Sequence, residues 1–224
     1  MGTKPEQQSL VLSKPVWLWA EMAFLFVAFP LVASYEHLAR WGIHLSLWIV
    51  TAYALFYLSH RPDFSWRDLW QGNGWTAAQK RHAVLRFLVL APFLIASTLY
   101  FVPGRFLSFP KERPVLWLAV MVLYPLLSAL PQEIVFRAFF FERYKSILPR
   151  RLAMIAMSAF CFGFIHVMFH NWIAPVFSAG GGALFAASFA QHRSIKWVAI
   201  EHAAYGCFIF TLGLGWFFFA HPVS

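Results

Sequence analysis

Glu133 and Arg137 stand four residues apart within LPQEIVFRAFFFERY, Leu130 to Tyr144, one of the most apolar stretches of the chain. On a helix that spacing puts both on one face, where they can bridge and neutralise each other. Gln132 adds a third polar group, and Pro131 marks a bend or a restart of the helix. A glutamate held in apolar surroundings is a candidate base. Further along, His166 and His170 are also four apart, in HVMFH. The zinc-protease pattern H-E-x-x-H is absent, because Val167 stands where the glutamate would be. His170 with Asn171 reads more simply as the cap of a turn. Glu201 and His202 are adjacent, and taken alone they read as a hydrated interfacial pair. Together, Glu133, His166 and His202 supply what water-mediated peptide hydrolysis needs. A carboxylate takes a proton, and imidazoles hold the water or stabilise the oxyanion. The same three groups could hold a zinc ion with one open position.

These groups need elements to hold them, and the composition says which. The 224 residues are 60% hydrophobic and 20% aromatic, with 12% charged, about half the charged share of an ordinary soluble domain. That is the profile of an all-α, polytopic membrane helix bundle. A spanning helix needs about 20 mostly apolar residues. Seven segments qualify: Val16 to Ser34, Trp41 to Leu58, Ala83 to Val102, Val115 to about Phe141, Leu152 to Phe169, about Trp172 to Ala190, and Trp197 to about Ala220. The polar N-terminus is too long for a cleaved signal peptide, so the first segment reads as a retained span. Cys161 and Cys207 lie in apolar runs and form no disulfide framework. The small-residue run SAGGGALFAASFA reads as a face for close helix packing.

Of the 18 Lys and Arg residues, twelve fall in the N-terminal tail and in loops 59–82, 142–151 and 191–196. Four (Arg40, Arg105, Lys111 and Arg113) fall on the alternate side, and Arg86 and Arg137 lie within spans. The net charge of +9 is therefore a topology signal and not a nucleic-acid signal. It places the N-terminus in the cytoplasm and the C-terminus outside, in a multi-pass protein of the cell (inner) membrane. His44 and Arg86 lie near span ends and can snorkel. Counting along the helices, Glu133, His166 and His202 fall at unequal depths, with the site opening toward the cytoplasmic half of the bilayer.

At these residues the chain resembles the CPBP family of intramembrane proteases, which includes the Rce1-like CAAX prenyl endoproteases and bacterial Abi relatives. The family signature is E-E-x-x-x-R, then F-x-x-x-H, then H-x-x-x-N on successive helices. Here the matching pieces are QEIVFR (Gln132 to Arg137), FGFIH (Phe162 to His166) and HAAYG (His202 to Gly206), in the family order. The resemblance covers roughly Val115 to Gly215. It implies an intramembrane endopeptidase of residues 115–224 preceded by three spans in residues 1–114. Its substrate would be a membrane-associated peptide or protein; it does not decide between zinc and no cofactor, nor the oligomeric state. The resemblance implies catalytic roles for Gln132, Glu133, Arg137, His166 and His202, with Arg137 orienting the glutamate. A metal, if held, would sit on Glu133, His166 and His202.

Three departures matter. The family's first glutamate is Gln132, which cannot act as a base; its asparagine is Gly206; and the glycine that often follows the arginine is Ala138. Glu133 is the favoured carrier of the carboxylate role, with Glu201 as the other candidate. A non-catalytic scaffold or immunity protein on the same fold is the competing reading. A proton- or ion-coupled transporter using Glu21, Glu133 and Glu201 is a third, and the absence of matching broken helices in two halves weighs against it.

Overall fold

A computed structural model describes residues 14–35, 40–62, 64–72 and 75–218. No strand occurs among the described residues. Six helices are long and apolar enough to cross a membrane: α1 (Pro15–Ser34), α2 (Gly42–Ser59), α3 (Ala77–Phe101), α4 (Pro114–Arg143), α5 (Arg151–Phe169) and α6 (Ile173–His192). A further helix, α7 (Ile195–Leu212), follows. It corresponds to the seventh expected span, but Lys196, Glu201 and His202 lower its apolar character and it is not among the six. The break expected at HNW is real. Asn171 Oδ1 accepts from the Ala174 N–H, and Asn171 Nδ2 donates to the Phe169 and Phe217 carbonyls, so Asn171 caps α6.

Apolar side chains point outward as well as inward, as a lipid solvent requires. Tyr100 and Val115 are 80% and 81% exposed, whereas Glu133 and Arg137 are wholly buried. Loop contacts sort the helix ends into two groups. At the basic end Ser194 Oγ donates to the Trp70 carbonyl, and Arg61 pairs with Glu142 at 2.8 Å. At the opposite end the Leu107 N–H donates to the Leu212 carbonyl, and Arg105 lies over the Trp216 ring. These pairings agree with the alternation of loops expected from the sequence for α3 to α7.

The small-residue face behaves as expected. A Cβ at Gly163 would meet Ala179 and the Pro175 carbonyl, and one at Gly182 would meet Phe162 and Ala159. Glycine there lets α5 and α6 approach closely. Glu21 is held at the end of the bundle by an ion pair. Both its oxygens are held by Arg143, and Tyr144 donates to it at 3.1 Å, which ties α1 to the end of α4.

Among the described residues two helices carry three π turns: Phe24–Ala28 in α1, and Pro125–Ala129 and Ile134–Phe139 in α4. Pro131 therefore does not break α4. The helix runs on, and the missing donors of Pro125 and Pro131 are absorbed by a locally wider turn.

Candidate active site

The two π turns of α4 bracket Glu133. Tyr124 and Glu133 are nine residues apart, about two and a half turns of a regular α-helix, which would put them on opposite faces. The π turn at Pro125–Ala129 rotates the chain more slowly per residue and swings them toward the same partner. That partner is His202 on α7. Glu133 Oε1 lies 2.7 Å from His202 Nδ1, and the Tyr124 hydroxyl lies 3.0 Å from His202 Nε2.

The tautomer follows from the partners. A carboxylate only accepts, so His202 donates from Nδ1, and in the neutral imidazole Nε2 is left as an acceptor. The Tyr124 hydroxyl therefore donates to Nε2. The result is a chain of three groups: carboxylate, imidazole, phenol. The imidazole is clamped on its faces as well, stacked on Phe185 at 4.7 Å and edge-on to Phe162 at 5.5 Å.

The second carboxylate oxygen, Glu133 Oε2, lies 3.0 Å from Arg137 Nε. Both side chains are fully buried, so the pair neutralises a charge that would otherwise be costly at this depth. The guanidinium is further held by the Gly182 carbonyl at 3.4 Å and sits over the Phe162 ring at 4.8 Å. Ser158 Oγ donates to the Phe136 carbonyl at 2.8 Å, fixing the second π turn against α5.

His166 stands apart from this chain. It lies on a 3-10 turn, Ile165–Phe169, that ends α5, and His170 follows in left-handed backbone. The two are thus not on one helical face, and His170 stands at the turn that the simpler reading gave it. His166 Nδ1 donates to the Phe162 carbonyl at 2.7 Å, which leaves Nε2 as an acceptor. His166 and His202 both pack against the Phe162 ring, at 5.1 and 5.5 Å. The unequal depths counted along the helices are closed for Glu133 and His202, which touch; His166 remains nearer the far end of its helix.

A cavity of about 1100 Å³ reaches these groups. Gln132, His166, His202 and Tyr124 line it, and Glu133 and Arg137 do not. Gln132 Nε2 donates to Ser128 Oγ at 2.8 Å, and its Oε1 is buried with no protein partner. The cavity's lining also includes Arg105, Ser108, Glu112, Arg113 and Trp216, all from the end opposite the basic loops. None of the lining residues comes from the basic loops, toward which the sequence reading expected the site to open.

Glu201 is separate. Arg86 donates to its Oε1 at 2.6 Å, with the glutamate side chain 4% exposed and the arginine 40%. Arg86 is therefore engaged rather than snorkelling free, and Glu201 and His202 are buried rather than interfacial. The carboxylate that reaches an imidazole is that of Glu133.

The side chains present do not fit a zinc ion. One Glu133 oxygen is bonded to His202, and the other faces at 3.0 Å a guanidinium whose positive charge would oppose a dication there. His202 turns Nδ1 to the carboxylate and Nε2 to the phenol. Among the described residues, no group of three His, Cys, Asp or Glu side chains converges as a metal site.

Tyr124 is the functional neighbour that the sequence reading missed. It lies in an apolar run with no charged residue beside it, and only the π turn brings it to His202.

Residues 114–208 match the family model described as type II CAAX prenyl endopeptidase Rce1-like. The matched segment is similar to an Rce1-like domain of the CPBP family, and it contains all three sequence motifs. No curated protein and no solved structure matches the chain.

Proposed function

We propose that this chain is an intramembrane endopeptidase that hydrolyses a peptide bond of a membrane-associated protein or peptide, with residues 115–224 as its protease core. The observation that carries the reading is the bond from Glu133 to His202 Nδ1, with the other ring nitrogen bonded to Tyr124 at the wall of a large apolar cavity. Glu133 acts through His202, not on water directly. It holds the imidazole in the tautomer whose Nε2 is basic, and it balances the imidazolium when that forms.

The steps balance as follows. A water in the cavity gives a proton to His202 Nε2 as its oxygen attacks the carbonyl carbon of the scissile bond. His166 Nε2 accepts from the water's second hydrogen and aims it. Collapse of the tetrahedral intermediate breaks the C–N bond, and His202 returns its proton to the leaving amine. Arg137 faces the second oxygen of Glu133 and orients it, and touches no reacting atom. Gln132 supplies an amide at the cavity wall where the family pattern has a carboxylate.

Cleavage of hydrophobic fluorogenic peptides by the purified protein in proteoliposomes tests this. His202→Ala is expected to abolish turnover, and undiminished cleavage by that variant contradicts the assignment.

A further inference from the structure

Gly206 stands where the family motif has a polar side chain, and α7 packs there directly against Tyr124. A Cβ added at Gly206 would run into the Tyr124 ring and its hydroxyl. The phenol thus fills the space that a side chain at 206 would occupy. Its ring is held edge-on to Phe210 at 5.2 Å, and its hydroxyl is 3.0 Å from His202 Nε2. Tyr124 and Gly206 both line the cavity.

From this we infer that Tyr124 is the oxyanion donor of the site, replacing from α4 the group that Gly206 lacks on α7. The inference rests on the reading of His202 as the base. In the substrate-free site the hydroxyl donates to Nε2. When a water takes that place, the hydroxyl is released beside the atom that will receive the water's proton. The carbonyl oxygen of a peptide attacked from that position lies within reach of the freed O–H. As the carbonyl carbon becomes tetrahedral and its oxygen takes the negative charge, Tyr124 donates to that oxygen and keeps its own proton. The glycine is then a requirement of the tyrosine: any larger residue at 206 would displace the ring.

A binding experiment separates this role from a merely structural one. The probes are a hydrophobic peptide phosphonate, which carries a tetrahedral anion, and the matching peptide amide. Tyr124→Phe removes only the hydroxyl. It is expected to weaken phosphonate binding by roughly 10²–10³-fold, the usual loss for one oxyanion donor, and to leave amide binding within about twofold. Where peptide turnover is measured, kcat falls by the same factor at unchanged KM. The variant Gly206→Asn is expected to lose thermal stability, and Tyr124→Ala in the same chain to restore it together with part of the phosphonate affinity. Equal loss for both probes, or no loss for either, overturns the inference while leaving His202 as base. Undiminished cleavage by His202→Ala overturns the peptidase reading itself.

Discussion

His202 Nδ1 lies 2.7 Å from Glu133 Oε1, inside a bundle whose other buried side chains around it are mostly aromatic. A carboxylate in such surroundings needs a permanent counter-charge, and Arg137 supplies it without entering the cavity. Arg137→Leu is expected to leave Glu133 as an unpaired buried charge and to destabilise the fold by about 3–5 kcal/mol. Thermal unfolding in detergent checks this. Arg137→Lys recovers little, since a lysine cannot serve the carboxylate and the Gly182 carbonyl from one planar fork.

Glu201 gives the contrasting prediction. It pairs with Arg86, an arginine two-fifths exposed, and has no bond to His202 among those described. Glu201→Gln is expected to keep peptide turnover within a few-fold of the parent. A loss as deep as that of Glu133→Gln, in the same cleavage assay, would move the essential carboxylate to Glu201.

Gln132 tests whether the site is complete as it stands. With His202 as the base, an amide at the cavity wall suffices, and Gln132→Glu is expected to change kcat by less than about tenfold, below the usual worth of a general base. A much larger gain would mean that the chain had lost a catalytic carboxylate and serves chiefly as a scaffold.

The direction of the cavity makes a topological prediction. Its lining runs to Ser108 and Arg113, at the end with few basic residues, which the positive-inside rule places outside the cytoplasm. With Cys161 and Cys207 replaced by alanine, Arg113→Cys is expected to react in intact cells with a membrane-impermeant thiol reagent. A bulky adduct there is expected to block cleavage. Labelling only after the cells are opened would reverse the orientation.

Close packing of α5 and α6 is a stability prediction. Gly163 faces Ala179 and the Pro175 carbonyl at distances no real Cβ tolerates. Gly163→Ala should cost about 1–3 kcal/mol through overpacking, measured as a fall in Tm, with no direct effect on His202.

Much of this arrangement is legible in the chain itself. The apolar segments, the small-residue face of α6 and the pair of Glu133 with Arg137 follow from composition and from i, i+4 spacing. What spacing could not show is the π turn after Tyr124. Hydrophobic periodicity assumes 3.6 residues per turn, and a five-residue π segment shifts every later side chain around the axis. That shift brings Tyr124 onto His202. The separate depths counted for Glu133 and His202 did not hold, since a rise of 1.5 Å per residue along each helix says nothing of how two helices stand against each other. Arg86 is a third case: its partner Glu201 is 115 positions away, and only packing brings them together.

The account turns on Glu133 working through His202, and one comparison tests that most directly. The turnover of a hydrophobic peptide is measured across pH for the parent and for Glu133→Gln. The account predicts that Glu133→Gln lowers kcat by about 10²–10⁴-fold, the worth of a correctly held general base, with KM little changed. His202→Ala should lose at least as much, and the double variant should lose no more than the worse single one. Full, independent losses that multiply in the double variant would contradict it, because the two residues would then be acting separately on the substrate.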